Sequence, residues 1–331
     1  MKLEDIGEFG LIEKIGSLFR APEGVTGIGD DCAVLPQRTG CQTLVSTDML
    51  VEGTHFLLDD VSACDLGWKS AAVNFSDIAA SGGTAVGSFL SLALPQNLAT
   101  EWVDEFITGY KEMSDVAYAP LLGGDTTSSP DRLCINVTVL GEIRAGCAKL
   151  RSMARPGDLV CVTGPIGDSA AGLRIILEKR ASGVRENGQE APLAPLFADD
   201  ASQRLIHRHY RPMPRLQEGR ILASLEEVHA MMDISDGVAS DLRHILKASK
   251  VGASLNPASI PLSSELREAC GRFGWNPMEL ALCGGEDYEL LFTMAPSGRP
   301  DIPYFVIGEI VEDPAFGIKG INEDFVGYRH F

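Results

Sequence analysis

The side chains most able to do chemistry are carboxylates, and they recur in short company with glycine, serine and threonine. The motifs are GIGDD (27–31), STD (46–48), NFSD (74–77), GGDTT (123–127), DISDG (233–237) and GGED (284–287). Several close an apolar, strand-like run, and strand ends are where ligands gather in α/β folds. Any one motif also reads as a turn or a helix cap; the whole set together is poorly explained that way. Carboxylates, hydroxyls and one amide, without a Cys or His ligand pair, suit a hard cation better than zinc. The calcium-loop spacing D-x-[DN]-x-[DN]-G is absent. Mg²⁺ keeps waters and commonly bridges to phosphates, so scattered aspartates fit it and point to phosphoryl transfer. Asp30 and Asp31 are adjacent like charges, whose repulsion a bound cation would relieve. Either both meet metal, or Asp30 only aims its neighbour.

The usual nucleotide loops are missing. There is no G-x-x-x-x-G-K-[ST] and no H-R-D. VTGPIGDSAAG (162–172) sets a glycine-rich turn between a strand and a helix, but Gly164, Gly167 and Gly172 miss the dinucleotide spacing. It reads as a tight strand-to-helix turn.

The 331 residues carry 46 Asp+Glu against 28 Lys+Arg, a formal charge of −18. So acidic a chain is a poor partner for nucleic acid or an anionic membrane, which need clustered Lys and Arg. No stretch reaches the roughly 18 apolar residues of a membrane span. The first 19 residues read as an amphipathic helix and not as a signal peptide. Eight cysteines without a C-x-x-C pair read as reduced thiols, which places the protein in the cytoplasm.

The elements that must position the acids alternate between strand and helix. Strands are predicted at 42–47, 86–95, 132–143, 158–164, 288–294 and 304–310, and helices at 65–81, 100–113, 168–179 and 236–250. Thr100 is the predicted N-cap of the second helix. The pattern breaks at 144–158, which divides the chain into domains 1–148 and 149–331; residues 181–200 read as a surface loop. GGD (123–125) and GGED (284–287) echo each other without establishing a repeat. The expected fold class is α/β (α+β), in two domains.

GIGDDCAV, STDMLVEGTHF, NFSDIAASGG, GGDTT, RPGDLVCVTGPIGDSAAGL, DISDG and GGEDYEL, in this order, resemble the thiamine-monophosphate kinase family. That family belongs to the ATP-binding superfamily that includes aminoimidazole ribonucleotide synthetase. The resemblance runs from Gly7 to the terminal GYRHF. It implies transfer of phosphate from ATP to thiamine monophosphate, several Mg²⁺ ions, and a homodimer whose N-terminal domains pair their sheets. It implies metal ligation by Asp31, Asp48, Asp77, Asp125 and Asp233, with Ser46, Thr47, Asp30 and Asp236 as further ligands or supporting groups. Gly124, Tyr110, Arg151 and Ser235 would contact ATP, and His55, Glu286 and Phe325 the thiamine phosphate.

This chemistry needs no general base, because a phosphate with a second pKa of about 6 is already mostly ionised. The obstacle is repulsion between two anions: unit charges 4 Å apart cost roughly 4 kcal/mol at an effective dielectric of 20. Metal ions and Arg151 would offset it. Glu286 and Phe325 suit a cationic thiazolium ring. Plainer readings stand beside these. His55 also reads as a structural histidine, Tyr110 as core, Asp236 as a first-turn acid, Phe325 as an edge plug and Arg151 as a solvated linker charge. The rival functions are a synthetase of the same superfamily with another acceptor, and a non-catalytic divalent-cation-binding protein.

Overall fold

The computed structural model describes residues 14–19, 22–23, 25, 35–36, 38–182, 199–322, 324–325 and 327. Asp30, Asp31, most of the predicted N-terminal helix and most of the 181–200 stretch lie outside the described residues. The chain divides into two compact units. The first takes Met1–Ile78 and Gly83–Ala148, the second Ala79–Gly82 and Lys149–Phe331.

In the first unit, β1 (Cys41–Val51), β2 (Thr84–Pro95), β3 (Leu121–Ser129) and β4 (Cys134–Arg144) form a sheet in the order β1-β4-β2-β3. The β1–β4 and β2–β4 pairings are antiparallel, and β2–β3 is parallel. β4 shows why the chain takes this form. Ile135, Val137, Val139 and Ile143 are buried at alternate positions, while Asn136, Thr138 and Leu140 between them are only partly covered. Burying each such side chain contributes about 1.5–3 kcal/mol, so a one-residue slip in register is strongly disfavoured. Helix α1 (Ala63–Ala80) carries NFSD, and α2 (Thr100–Ala117) buries Val103, Phe106, Ile107, Tyr110 and Met113.

Two expectations change here. Ala99, and not Thr100, is the N-cap of α2; Thr100 is the first helical residue, and its hydroxyl turns to Glu101. GGDTT, outside every strand expected from the sequence, lies inside β3, held there by its pairing to β2 despite the low strand propensity of glycine.

In the second unit, β5 (Leu159–Val162), β6 (Val228–Asp233), β7 (Gly252–Leu255), β8 (Leu290–Met294), β9 (Phe305–Val311) and β10 (Ile318–Lys319) make a sheet ordered β10-β7-β9-β5-β8-β6. Its pairings are antiparallel except β10–β7. Both faces are covered. Val160, Val162, Met232 and Leu291 join one core with Val238, Leu242 and Ile245 of helix α6 (Val238–Ser249). Cys161, Met231, Phe292 and Met294 join another with Leu222 of α5 (Leu216–Ser224). Helix α3 (Asp168–Ala181) follows the glycine turn, and α4 (Asp200–Tyr210), α7 (Ser264–Phe273) and α8 (Pro277–Cys283) complete the unit. No helix among the described residues is long and apolar enough to cross a membrane.

Candidate active site

In the first unit the acids project from regular elements. Ser46 and Asp48 stand two apart on β1 and so share a face. Asn74 and Asp77 stand three apart on α1 and share a stripe of that helix. The two elements meet there. Ser46 Oγ donates to Asp77 Oδ2 at 2.5 Å, and the Asp48 N–H donates to Asn74 Oδ1 at 3.1 Å. Asn74 is fully buried and donates its own amide to the Ser70 carbonyl, which fixes which way it points. Thr47, one residue on, faces the other way. Its hydroxyl donates to the Val137 carbonyl and lies 3.0 Å from Thr138 Oγ1 on β4.

Gly124 and Asp125 sit on β3 opposite Leu90 and Ser91 of β2, and both are exposed. Glycine is required at 124, since a Cβ there would stand 1.8 Å from the Leu90 carbonyl oxygen. Tyr110 is fully buried; its Oη donates to Ser88 Oγ at 2.8 Å, and burial pushes its phenol far above the ordinary value. His55 closes the turn after β1, where its Nδ1 accepts the Val51 N–H at 3.0 Å. A neutral His55 therefore carries its proton on Nε2.

The second unit presents its predicted residues chiefly on loops, and the loops are tied to one another. Asp233 ends β6 and is buried. The next residues pair with the GGEDYE loop: Ile234 N donates to the Glu289 carbonyl, Tyr288 N to the Ile234 carbonyl and Glu286 N to the Ser235 carbonyl. Asp241, in the first turn of α6, accepts the N–H groups of Ser235 and Asp236 at 3.0 and 3.2 Å. Burial, with the charges of Asp236 and Asp233 adding to it, pushes the Asp241 carboxyl up to about 8.

On the other side of the GGEDYE loop, Asp287 accepts from Gly167 N at 2.6 Å and Ser169 N at 3.1 Å. Burial raises its carboxyl to about 8 against the pull of those two donors. Glu289 is buried beneath; Thr163 Oγ1 donates to it at 2.6 Å and Arg215 grips it with two N–H groups. Arg151 begins a short 3-10 turn; its side chain is exposed and its carbonyl is held by Ser249 Oγ. Phe325 packs partly buried against the α6 core, and its carbonyl accepts from Arg243.

The structure thus brings Ser46, Asp48 and Asp77 together in one unit, and Asp233, Ser235, Asp236 and Glu286 in the other. Among the described residues no group of three or more His, Cys, Asp or Glu side chains converges to hold a metal alone. Mg²⁺ does not require one, since it takes one or two carboxylates and completes its shell with water and phosphate oxygens. The all-oxygen set around Ser46, Asp48 and Asp77 fits that demand. Sequence reasoning did not assign roles to Asp241, Asp287, Glu289 or His209. One signal was available: a glycine turn opening a helix leaves N–H groups that need an acceptor, and Asp287 supplies it from 120 residues away.

The comparisons with known proteins agree with this layout. Residues 29–143 match the AIR synthase related protein N-terminal domain, and 155–320 match the corresponding C-terminal domain. The thiamine-monophosphate kinase of Bacillus subtilis (strain 168) is 41% identical over 269 residues, 81% of this chain and 77% of that protein. That of Aquifex aeolicus (strain VF5) is 35% identical over 100% of both chains. The chain belongs to the thiamine-monophosphate kinase family. A family structure, AaThiL complexed with AMPPCP and TMP, superposes with a TM-score of 0.78 at 34% identity, covering 100% of this chain and 99% of the other. The family's fold therefore extends over both units described above.

Proposed function

We propose that this protein is a kinase that transfers the γ-phosphate of ATP to thiamine monophosphate, giving thiamine diphosphate and ADP. Family membership at 35% identity over the whole chain carries the reading. An oxygen of the acceptor phosphate forms the new bond to the γ-phosphorus as the bond to the β–γ bridging oxygen breaks. ADP leaves with that electron pair, and no phospho-enzyme is needed. The acceptor arrives ionised, so the described residues have to position and neutralise rather than take a proton.

In this reading Asp31, Asp48, Asp77, Asp125 and Asp233 hold Mg²⁺, with Ser46, Asp30 and Asp236 beside them. Mg²⁺, when bound, supplies positive charge between two anionic phosphates. The Ser46–Asp77 and Asp48–Asn74 hydrogen bonds support the assignment, because they fix two carboxyl-bearing residues against one another before any ligand arrives. We assign Thr47 to holding β1 on β4, since its hydroxyl is committed there, and Tyr110 to packing, since it has no exposed surface. Gly124, Arg151 and Ser235 contact ATP; His55, Glu286 and Phe325 contact the acceptor. The same reading carries a cytoplasmic homodimer paired through the N-terminal sheets. The unpaired thiols of Cys41, Cys134, Cys147, Cys161 and Cys270 agree with a reducing setting.

The test is product analysis with purified protein, ATP, Mg²⁺ and thiamine monophosphate. Equal yields of ADP and thiamine diphosphate are expected. ADP release at the same rate with the acceptor left out, or with a different phosphorylated acceptor in its place, would contradict the proposal.

A further inference from the structure

Glu286 is held in an unusual way. Its backbone adopts φ +65° and that of Tyr288 φ +51°, the left-handed region that non-glycine residues seldom enter. Such strain persists only where the surroundings over-determine it, and here a closed ring of contacts does so. Asp287, the next residue, accepts the Ser169 N–H at 3.1 Å and the Gly167 N–H at 2.6 Å. Ser169 Oγ lies 3.0 Å from His209 Nδ1. His209 Nδ1 in turn stands 3.4 Å from Glu286 Oε2, which returns the ring to its start.

The ring joins three parts of the second unit: the glycine turn at the head of α3, the last turn of α4, and the GGED loop. Gly167 fits there because its φ is +93° and a Cβ would stand 2.8 Å from the Ala281 backbone. Ser169 and His209 are both more than nine-tenths buried, whereas the Glu286 side chain keeps 28% of its surface exposed. One carboxylate oxygen thus faces a buried imidazole nitrogen while the side chain still reaches the surface. An unrestrained glutamate has three side-chain torsions to order when it meets a ligand. This one has its backbone already fixed and one oxygen 3.4 Å from a buried imidazole nitrogen, which lowers the ordering cost of binding a cation.

We propose that His209, Ser169 and Asp287 are positioning residues that aim the Glu286 carboxylate at the cationic thiazolium end of thiamine monophosphate. The inference rests on the reading of Glu286 as an acceptor contact. It adds that acceptor affinity is set from the interior by residues that touch neither ATP nor the reacting phosphates.

Steady-state kinetics with each substrate varied in turn test it. His209→Leu is expected to raise KM for thiamine monophosphate about tenfold and leave KM for ATP and kcat within about twofold. Glu286→Gln should raise the same KM. The double variant should match Glu286→Gln alone, because a residue that acts through another adds nothing once the other is gone. Ser169→Ala, which leaves the imidazole in place, should raise KM for thiamine monophosphate about threefold with the thermal midpoint unchanged. It carries the test if His209→Leu does not fold. Glu286→Gln with an unchanged KM overturns the reading of Glu286 and this inference with it. A raised KM in Glu286→Gln beside a neutral or multiplicative His209→Leu, or a neutral Ser169→Ala, overturns the inference alone.

Discussion

Gly123, Gly124 and Asp125 lie in a strand whose backbone is paired to β2, whereas Gly284 to Asp287 lie in a loop tied to two others, by the Glu286 N–H to Ser235 and by the Asp287 carboxylate to the glycine turn. The shared letters conceal two methods of holding a carboxylate. In the first unit Asp48, Asp77 and Asp125 ride on strands and a helix, whose own hydrogen bonds fix the backbone. In the second, Ser235, Asp236 and Glu286 depend on carboxylates behind them, Asp241 and Asp287, and on the buried Glu289–Arg215 pair. The first arrangement suits groups that must hold a cation against phosphates at set distances. The second allows a side chain to be aimed by residues far away in sequence. Mutations in the Ser46, Asp48 and Asp77 set should therefore affect chemistry, and mutations of the groups behind the GGED loop should affect stability or acceptor affinity.

The largest expected effect breaks this division if it fails. Asp48→Asn should lower kcat by about 10²–10³, roughly 3–4 kcal/mol of barrier, because it removes a proposed ligand of the Mg²⁺ that would offset the phosphate charge. Its unfolding midpoint should stay close to that of the wild type, since β1 keeps its ladder with β4. Next is Glu289→Ala, which removes the buried carboxylate gripped by the partly buried Arg215 and leaves that guanidinium only Glu218, 3.8 Å away. Breaking a buried pair on one side costs about 3 kcal/mol, to be read by urea unfolding. A loss below about 1 kcal/mol would mean that the pair does not hold the loops.

The smallest effect sharpens the electrostatic contrast. Burial raises the Asp168 carboxyl above its ordinary value of 3.8, opposed by the Ser263 hydroxyl bonded to it at 2.6 Å. With the folded pKa raised, the native state holds its proton more tightly than the unfolded chain. The stabilisation present below pH 3.8 is then lost as pH rises through the folded value. Asp168→Asn cannot titrate, so thermal unfolding should show the variant gaining on the wild type as pH rises. A constant gap would remove Asp168 from the account.

Much of this was legible in the sequence. The alternation of β4 and the apolar stripe of α2 announce their elements, and STD and NFSD mark residues that the fold does bring into contact. GGDTT did not read as a strand, because glycine and aspartate are poor strand formers and only the parallel pairing with β2 makes them one. β6 and β7 were not predicted. Asp241 and His209 carry no local motif that separates them from ordinary helix residues, and GGED marks Asp287 without indicating what it holds. Their work depends on partners such as Gly167, which lies 120 residues from Asp287, and no periodicity reports a contact at that range.

The central claim is that the oxygen-bearing residues of β1 and α1 hold Mg²⁺ for phosphate transfer to thiamine monophosphate. The most direct measurement is thiamine diphosphate formation across a Mg²⁺ titration, comparing wild type with Asp77→Asn at saturating ATP and acceptor. Asp77 is the residue to which Ser46 is bonded, so its loss disturbs the set at its centre. The account predicts a half-saturating Mg²⁺ concentration raised about tenfold or more, with a reduced maximal rate. An unchanged Mg²⁺ dependence with full activity would contradict it.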